Sequence, residues 1–376
     1  MSRLFVGNFD FEHRLAVPGR VLSQRLQRIN AELASSWLAI AEDGDRIWTP
    51  HPLPDDFWKG LPSQGLPDVR GVTEIAPSAD QQLIPWGWTS DLEALSLTTQ
   101  FGSVPSMSSI RTANSRRWSA AREADWKVGL PSAAVANTLN AAISAIDDVL
   151  SWTSRWVIKA EFGMSGRERI LGNGPLTDPH RRWITRRLAA DGVVFVEPWV
   201  DAVREAGLQF DAPQEGPCRF LGVAEMLPSA RGQYAGTLFA APPESNTCDW
   251  NPAIAVATRA VEELQVLGYF GPVGIDAMWY RSPDGRLACR PLQDVNARWT
   301  MGRLALGWRK RFSEAAIGYW WHGSSTEFAT GGHLEPLRNF PHPPAAARIL
   351  RTSPAPLNDD PRRHVSALVW SDRGSH

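Results

Sequence analysis

The stretch Gly268–Gly302, GYFGPVGIDAMWYRSPDGRLACRPLQDVNARWTMG, constrains this chain more than any other. A turn-rich Gly-Tyr-Phe-Gly-Pro opens it, and a β-compatible run follows over Val273–Tyr280. A Ser-Pro-Asp-Gly turn then leads to a second such run, from Arg286 to about Arg298. Asp-Gly between two such runs is a hairpin signal. Asp276 interrupts an otherwise apolar strand. Asp294, Asn296 and Arg298 alternate on the other strand, so they project to one face. A strict two-residue turn at Asp284-Gly285 sets Asp276 opposite Gln293 and sends Asp294 to the far face. An odd-length loop or one bulge returns both acids to the same face, and Pro291, which cannot donate to a ladder, is the expected bulge site. Two carboxylates and a carboxamide then form an all-oxygen site of the kind Mg²⁺ favours, with water and nucleotide phosphates completing the shell. A hairpin with one solvated face has the same alternation; the apolar setting of Asp276 separates the two readings.

The rest of the sequence bounds the class of protein. At 376 residues the chain is long for one domain. Hydrophobic content of 43% and charged content of 21% are those of a globular protein. A net charge of −1 gives no electrostatic case for nucleic acid or an anionic membrane. Among 39 basic residues the lysines are Lys59, Lys127, Lys159 and Lys310, so each lysine stands out in a chain that otherwise uses arginine. Cys218, Cys248 and Cys289 have no C-x-x-C spacing, which suits a reducing cytoplasm and argues against a zinc site or a disulfide framework. Leu4–Val6 is too short for the apolar core of a signal peptide, and no apolar run approaches the roughly 20 residues that span a bilayer. The expected location is cytoplasmic. The 18 tryptophans are spread along the chain and read as core and cleft lining.

Taken in order, Arg3–Asn8 reads as a strand, Pro18–Ala41 as a helix with Val21, Leu22, Leu26, Ile29 and Leu33 at helical spacing, and Arg46–Trp48 as a strand. Gly71–Ile75 and Leu83–Pro85 are further strand candidates, so residues 1–110 suggest a small α/β domain. His13 and His51 read as structural or surface residues. Phe101–Ser109 reads as a polar linker, and Arg111–Arg117 leads into a helix reaching about Val128. Ala133–Ser151 reads as helical, and Trp156-Val-Ile-Lys159-Ala as a strand carrying a lysine, followed by Glu-Phe-Gly-Met-Ser-Gly-Arg. An ammonium suits phosphate oxygens, and Gly and Ser backbone N–H groups approach anions closely. A helix over about Asp178–Ala190 leads to the apolar run Val-Val-Phe-Val-Glu197-Pro-Trp199-Val200. Pro252–Leu267 reads as an amphipathic helix, Arg303–Trp321 as a further helical stretch, and residues 323–376 as an appended hairpin or partly ordered tail.

The pair G-I-D-A-M … Q-D-V-N-A-R-W-T-M-G resembles the metal-binding hairpin of the ATP-grasp superfamily. Lys159 with its loop and the Glu197 segment resemble the same family's phosphate loop and adenine hinge, in the family's order. The resemblance covers roughly residues 111 to 321. It implies an α/β (α+β) architecture: an ATP-grasp fold over residues 111–322, preceded by a small α/β pre-ATP-grasp domain over 1–110. It further implies Asp276, Asp294 and Asn296 as metal ligands for two Mg²⁺ (or Mn²⁺) ions on ATP, and Arg298 facing the reacting acyl phosphate. Lys159, Ser165 and Gly166 fall to the phosphates, with Arg116 or Arg117 beside them because Asn114-Ser115-Arg116 resembles the family's opening Asn-Asp-Lys. Glu197 falls at the adenine edge, Trp199 and Val200 offer backbone hydrogen bonds, and Glu205, ahead of Asp201, is the candidate for the ribose hydroxyls. Two departures stand out. Asp294 replaces the family's usual Glu, and Gly274 replaces the Arg that D-alanine–D-alanine ligases carry two residues before the first acid.

The implied activity is ATP-dependent ligation, in which a substrate carboxylate becomes an acyl phosphate that an amine or thiol displaces. Arg298 and Lys159 supply fixed positive charge where negative charge accumulates. Alternatives are a kinase acting on a small-molecule hydroxyl and a nucleotide-binding protein without turnover. The expected partners are small-molecule or peptide carboxylate and amine substrates, with a homodimer compatible with the resemblance. Specificity is expected from the N-terminal domain, the Trp86–Thr89 loop and Trp299-Thr300-Met301.

Overall fold

A computed structural model describes residues 2–19, 21–76, 81–98, 103–163, 168–228, 234–240, 249–313, 316–333, 347–355 and 363–372. The first sheet is built from β1 (Ser2–Val6), β2 (Arg46–Trp48), β3 (Arg70–Val72) and β4 (Gln81–Pro85). All its pairings are parallel, in the order β3-β2-β1-β4. The chain leaves β1 toward β2 on one side and returns to β4 on the other. That reversal opens a crevice at the carboxyl ends of the strands, where open α/β sheets bind ligands. The helix expected over Pro18–Ala41 is shorter: Ser23 caps Gln24–Ala34, and a 3₁₀ turn follows over Ser35–Ala39. Pro18-Gly19 precedes it, and a separate short helix, Phe11–Ala16, follows β1.

The second sheet is antiparallel, with the order β5-β8-β6-β7. Its strands are β5 (Ala134–Ala136), β6 (Arg155–Lys159), β7 (Arg169–Asn173) and β8 (Val194–Pro198). Residues 134–136 are therefore strand, in place of the expected continuous helix. Thr138, accepting from the Ala141 N–H, starts the helix Leu139–Leu150. That helix and Asp178–Asp191 cover the sheet through Ala142, Ile146, Val149 and Ile184, packed with Trp156, Ile158, Val194 and Val196. Likewise Ser106 caps a helix at Met107–Ala113, which takes in the last three residues of the expected linker.

The third sheet has eight strands: β9 (Asp201–Ala212), β10 (Arg219–Pro228), β11 (Tyr234–Ala240), β12 (Gly271–Arg281), β13 (Leu287–Asn296), β14 (Ala316–Ser324), β15 (Arg348–Arg351) and β16 (His364–Asp372). Their order is β13-β12-β9-β10-β11-β14-β16-β15. The helix after the hairpin ends at Arg309, and Ala316–Ser324 is strand, not helix. Its Tyr319, Trp320 and Trp321 are bulky aromatics that suit a pleated, buried surface. Helix Asn251–Val266 covers the site end of the sheet with the apolar stripe Ala253, Ala257, Ala260, Val261 and Leu264. No helix among the described residues is long and apolar enough to cross a membrane.

A histidine pair, His322 buried and His364 partly buried, joins β14 and β16. His322 Nδ1 and His364 Nε2 are 3.2 Å apart, with Trp320 packed on His322 at 4.2 Å and Tyr234 at 5.5 Å. Glu32 accepts from the His364 backbone N–H and from Arg363, so its charge is already engaged. Burial holds both imidazoles below their ordinary range, His364 down to about 4. An imidazole depressed by folding takes up its proton in the unfolded chain first. Stability is therefore lost as pH falls from the unfolded value near 6.5 toward 4. At pH 5 the loss at His364 is about 2 kcal/mol. Thermal melts should fall between pH 7.5 and pH 5, and the drop should shrink in His364→Gln. An equal drop in the variant assigns the pH dependence elsewhere.

Candidate functional site

The hairpin of β12 and β13 places the two acids face to face. Ser282–Arg286 connects the strands, an odd-length loop that turns at Gly285 with φ +83° and closes with Ser282 N–H to the Arg286 carbonyl at 2.9 Å. The register runs from Arg281 opposite Leu287 to Met278 opposite Arg290 and then shifts. On the far side of the shift Asp276 lies opposite Asp294 and Gly274 opposite Asn296. Across it, Ala277 alone faces Pro291, Leu292 and Gln293, so the irregularity falls at the expected proline. Loop parity keeps the acids on one face, and the bulge brings them directly opposite.

Close backbone packing makes room behind them. Gly207 of β9 lies opposite Asp276, and a Cβ there would come within 2.6 Å of Gln209 Nε2. Asn296 Nδ2 donates to Asp276 Oδ2 at 3.1 Å. The Asp276 carboxyl is pushed up to about 7, first by desolvation and next by the charge of Asp294. Arg116 bridges Asp294 Oδ2 at 2.6 Å and the Ala160 carbonyl at 2.9 Å. It thereby ties the hairpin to the segment after β6. Two carboxylates this close are stabilised by a cation between them, which is the fit expected of a divalent metal. Among the described residues no third His, Cys, Asp or Glu completes a metal-holding group, so an ion here would draw its other ligands from Asn296, water or a bound phosphate. Asn296 Oδ1 accepts from Arg298 at 2.9 Å, and that oxygen would have to change partner to reach an ion.

Arg298 lies against the N-terminal domain. It donates to Glu12 Oε1 at 2.5 Å, to the Trp299 carbonyl at 2.7 Å and to Asn296, and lies 5.2 Å above the Trp86 ring. Asn114 clamps the same turn, accepting from the Ala297 N–H at 3.0 Å and donating to its carbonyl at 3.3 Å. Ser115 next to it starts the helix Arg116–Trp126 by accepting from the Arg117 N–H, and it donates to Glu161 at 2.6 Å.

A buried ion cluster lies on the other side. Lys159 Nζ meets Glu197 Oε2 at 2.7 Å. Arg290, 2% exposed, donates to Glu197 at 2.8 and 3.1 Å and to Glu123 at 2.6 and 2.8 Å. The Glu197 carboxylate, expected at the adenine edge, is thus committed to two cations. The Trp199 N–H donates to the Arg155 carbonyl at 2.9 Å and is not free for a base. Val200 packs beside Leu130, Met278 and Tyr280. Glu205 lies opposite Met278 on the Asp276 face, accepting weakly from Gln293 Nε2 at 3.4 Å. Arg169, across the ladder from Lys159, stacks over Trp199 at 5.0 Å, and the charge of Glu205 acts on it. Ser165 and Gly166 lie outside the described residues. The structure therefore brings Arg116, Asp276, Asp294, Asn296, Arg298 and Glu205 together, with Lys159 and Glu197 in the adjoining cluster. Glu12, Glu123, Arg169 and Arg290 join them without having been singled out from sequence, and Asn114 joins from the Asn114-Ser115-Arg116 segment.

A cavity of about 610 Å³ opens at the carboxyl ends of the parallel strands. Leu15, Leu22, Trp48 and Met107 supply apolar walls, and Arg14 and Arg111 the positive charge. Arg14 is matched by Asp10 and Asp91, whereas Arg111 meets the Leu15 carbonyl and the face of Phe162, 4.6 Å away. The helix that contributes Arg14 and Leu15 to this wall also carries Glu12, the partner of Arg298.

No protein-family model matches this sequence, and no curated protein matches it. Solved structures do match in fold. The N5-carboxyaminoimidazole synthetase of Staphylococcus aureus, solved with ADP, superimposes with a TM-score of 0.54 at 9% identity over 98% of this chain and 92% of its own. The N5-carboxyaminoimidazole ribonucleotide synthetase of Thermus thermophilus gives 0.53 at 15% identity over 99% and 94%. The biotin carboxylase domain of the Hydrogenobacter thermophilus 2-oxoglutarate carboxylase, a dimer solved with MgADP, ADP and bicarbonate, gives 0.52 at 12% over 99% and 86%. These neighbours are ATP-grasp enzymes, and the chain has the ATP-grasp fold.

Proposed function

We propose that this ATP-grasp chain is an ATP- and Mg²⁺-dependent ligase that activates a carboxylate as an acyl phosphate and couples it to an amine or thiol. The observation that carries the reading is the direct opposition of Asp276 and Asp294, with Arg116 on one side and Arg298 on the other. ATP would lie between the four-stranded antiparallel sheet and the eight-stranded sheet. Asp276, Asp294 and Asn296 would hold Mg²⁺. When bound, the ion neutralises charge on the β- and γ-phosphate oxygens. Lys159 and Arg116 would meet the phosphates, together with the loop containing Ser165 and Gly166. Glu205 is the candidate for the ribose hydroxyls, with the Glu197–Val200 segment beside the base. Arg298, fixed by Glu12 and Asn296, would hold the acyl phosphate oxygens as the nucleophile arrives, which stabilises the developing charge without reorganisation.

The cavity suits a substrate with an apolar body and one acidic group for Arg111. Its distance in sequence from the reacting residues is small: helix Met107–Ala113 leads through Asn114 to Arg116. The bicarbonate held by the biotin carboxylase neighbour is far smaller than this cavity, which has room for a larger substrate.

The test is ATP-dependent phosphate release over a panel of carboxylates, with hydroxylamine present to trap acyl phosphates as hydroxamates. A ligase of this kind yields hydroxamate in the amount of phosphate released, with apolar-bodied acids preferred. Phosphate transfer to an alcohol without hydroxamate would identify a kinase instead.

A further inference from the structure

We infer that Arg290 is a positioning residue for the nucleotide: it holds Glu197 by both oxygens, so that Lys159 can pass from Glu197 to a phosphate without leaving that carboxylate unpaired. The inference rests on the ATP-binding reading above and goes beyond it, because Arg290 and Glu123 touch none of the residues proposed to contact ATP except Glu197. The cluster contains two cations, Lys159 and Arg290, and two carboxylates, Glu123 and Glu197. Arg290 is buried on all sides, and its planar fork faces one carboxylate with Nε and Nη2 and the other with Nη1 and Nη2. Such a fork binds two planar anions at once, which a single ammonium cannot do. Lys159 adds one contact to an oxygen that Arg290 already satisfies, and it stands at the end of β6, where the Glu161-Phe162-Gly163 segment begins.

If Lys159 were the sole partner of Glu197, moving it to a phosphate would strand a buried carboxylate, and Glu197 would compete with ATP for the lysine. Arg290 removes that competition. It also leaves Glu123, Arg290 and Glu197 with one excess negative charge once Lys159 departs. Burial already holds Glu123 above its usual range, and the positive charge of Lys159 opposes that shift. A solvent proton on Glu123 would therefore restore neutrality. Two variants consequently have opposite expected effects. Arg290→Lys loses the fork, so Lys159 is retained by Glu197. Glu123→Gln leaves the cluster one positive charge richer, which favours release of Lys159.

The experiment is titration calorimetry of full-length protein with Mg·ATP, paired with steady-state phosphate release. Arg290→Lys should weaken ATP binding at least tenfold and raise the half-saturating ATP concentration more than it lowers kcat. Glu123→Gln should bind ATP as tightly as wild type or more tightly, and take up less proton on binding when buffers of different ionisation enthalpy are compared. A purely structural role would shift both variants in one direction. If both weaken binding equally, or if Arg290→Lys binds as wild type does, the inference is overturned. Should Arg290→Lys fail to fold, Glu123→Gln decides alone: a tenfold loss of affinity there overturns it. Wild type that binds no Mg·ATP overturns the ligase reading and this inference together, which separates that failure from failure of the inference alone.

Discussion

Asp276→Asn is expected to remove ATP-dependent phosphate release, by about 10³-fold or more, while raising the melting temperature of the metal-free protein. The two effects have one cause. Asp276 is desolvated and faces Asp294 across the hairpin, and both influences raise its carboxyl to about 7. At pH 8 the ionised acid therefore destabilises the fold by about 2–4 kcal/mol. Asparagine has the same shape, retains an oxygen for the Asn296 amide and carries no charge. Relief of that repulsion should raise the melting temperature by a few degrees, since an unfolding entropy of about 2.1 cal/mol/K per residue gives roughly 1.3 °C per kcal/mol for 376 residues. The same substitution removes one of two carboxylates in the proposed Mg²⁺ site, and loss of a metal's electrostatic stabilisation acts directly on the transition state. Melting scans with and without Mg²⁺, alongside the phosphate assay, read both effects. A variant less stable than wild type, or one that still turns over, contradicts the assignment.

Arg298→Ala should lower kcat by about 10²–10³-fold and leave Mg·ATP affinity within about threefold, the pattern of a group used mainly in the transition state. Arg298 spends its donors on Glu12, Asn296 and the Trp299 carbonyl, and Trp86 supports its plane. The guanidinium is therefore fixed before any substrate arrives. Glu12→Gln keeps Arg298 present and loosens it, so it should reproduce a smaller kcat loss, of about tenfold. Equal losses of ATP affinity and kcat in Arg298→Ala would move Arg298 from the reacting position into nucleotide binding.

The parts of this site readable from sequence are those decided locally. Asp276, Asp294 and Asn296 lie within one hairpin, so strand alternation and an odd-length loop are enough to set them on one face, and the irregularity at Pro291 brings the two acids directly opposite. Lys159 is legible because a lysine in a short apolar strand stands out in an arginine-using chain. Glu12, Glu123 and Arg290 are not, because their partnerships cross the fold: Arg298 to Glu12 is 286 residues apart, Arg290 to Glu123 is 167 and Arg290 to Glu197 is 93. In sequence Arg290 looks like one of many arginines on a strand. The departures from the expected helices share a cause. Ala133–Ser151 and Arg303–Trp321 contain apolar residues at ambiguous spacing, and the boundary in each is set by a capping Thr138 or by the aromatic run of β14. Nothing in the sequence reveals that the Arg155 carbonyl takes the Trp199 N–H.

The central claim is that the paired acids hold Mg²⁺ on ATP, and titration calorimetry of ATP into wild type and Asp276→Asn, with and without Mg²⁺, tests it most directly. Wild type should bind ATP at least tenfold more tightly with Mg²⁺ present, and the variant should lose that difference while still binding ATP. Wild type that binds ATP equally well without Mg²⁺, or a variant with the full Mg²⁺ dependence, would contradict it.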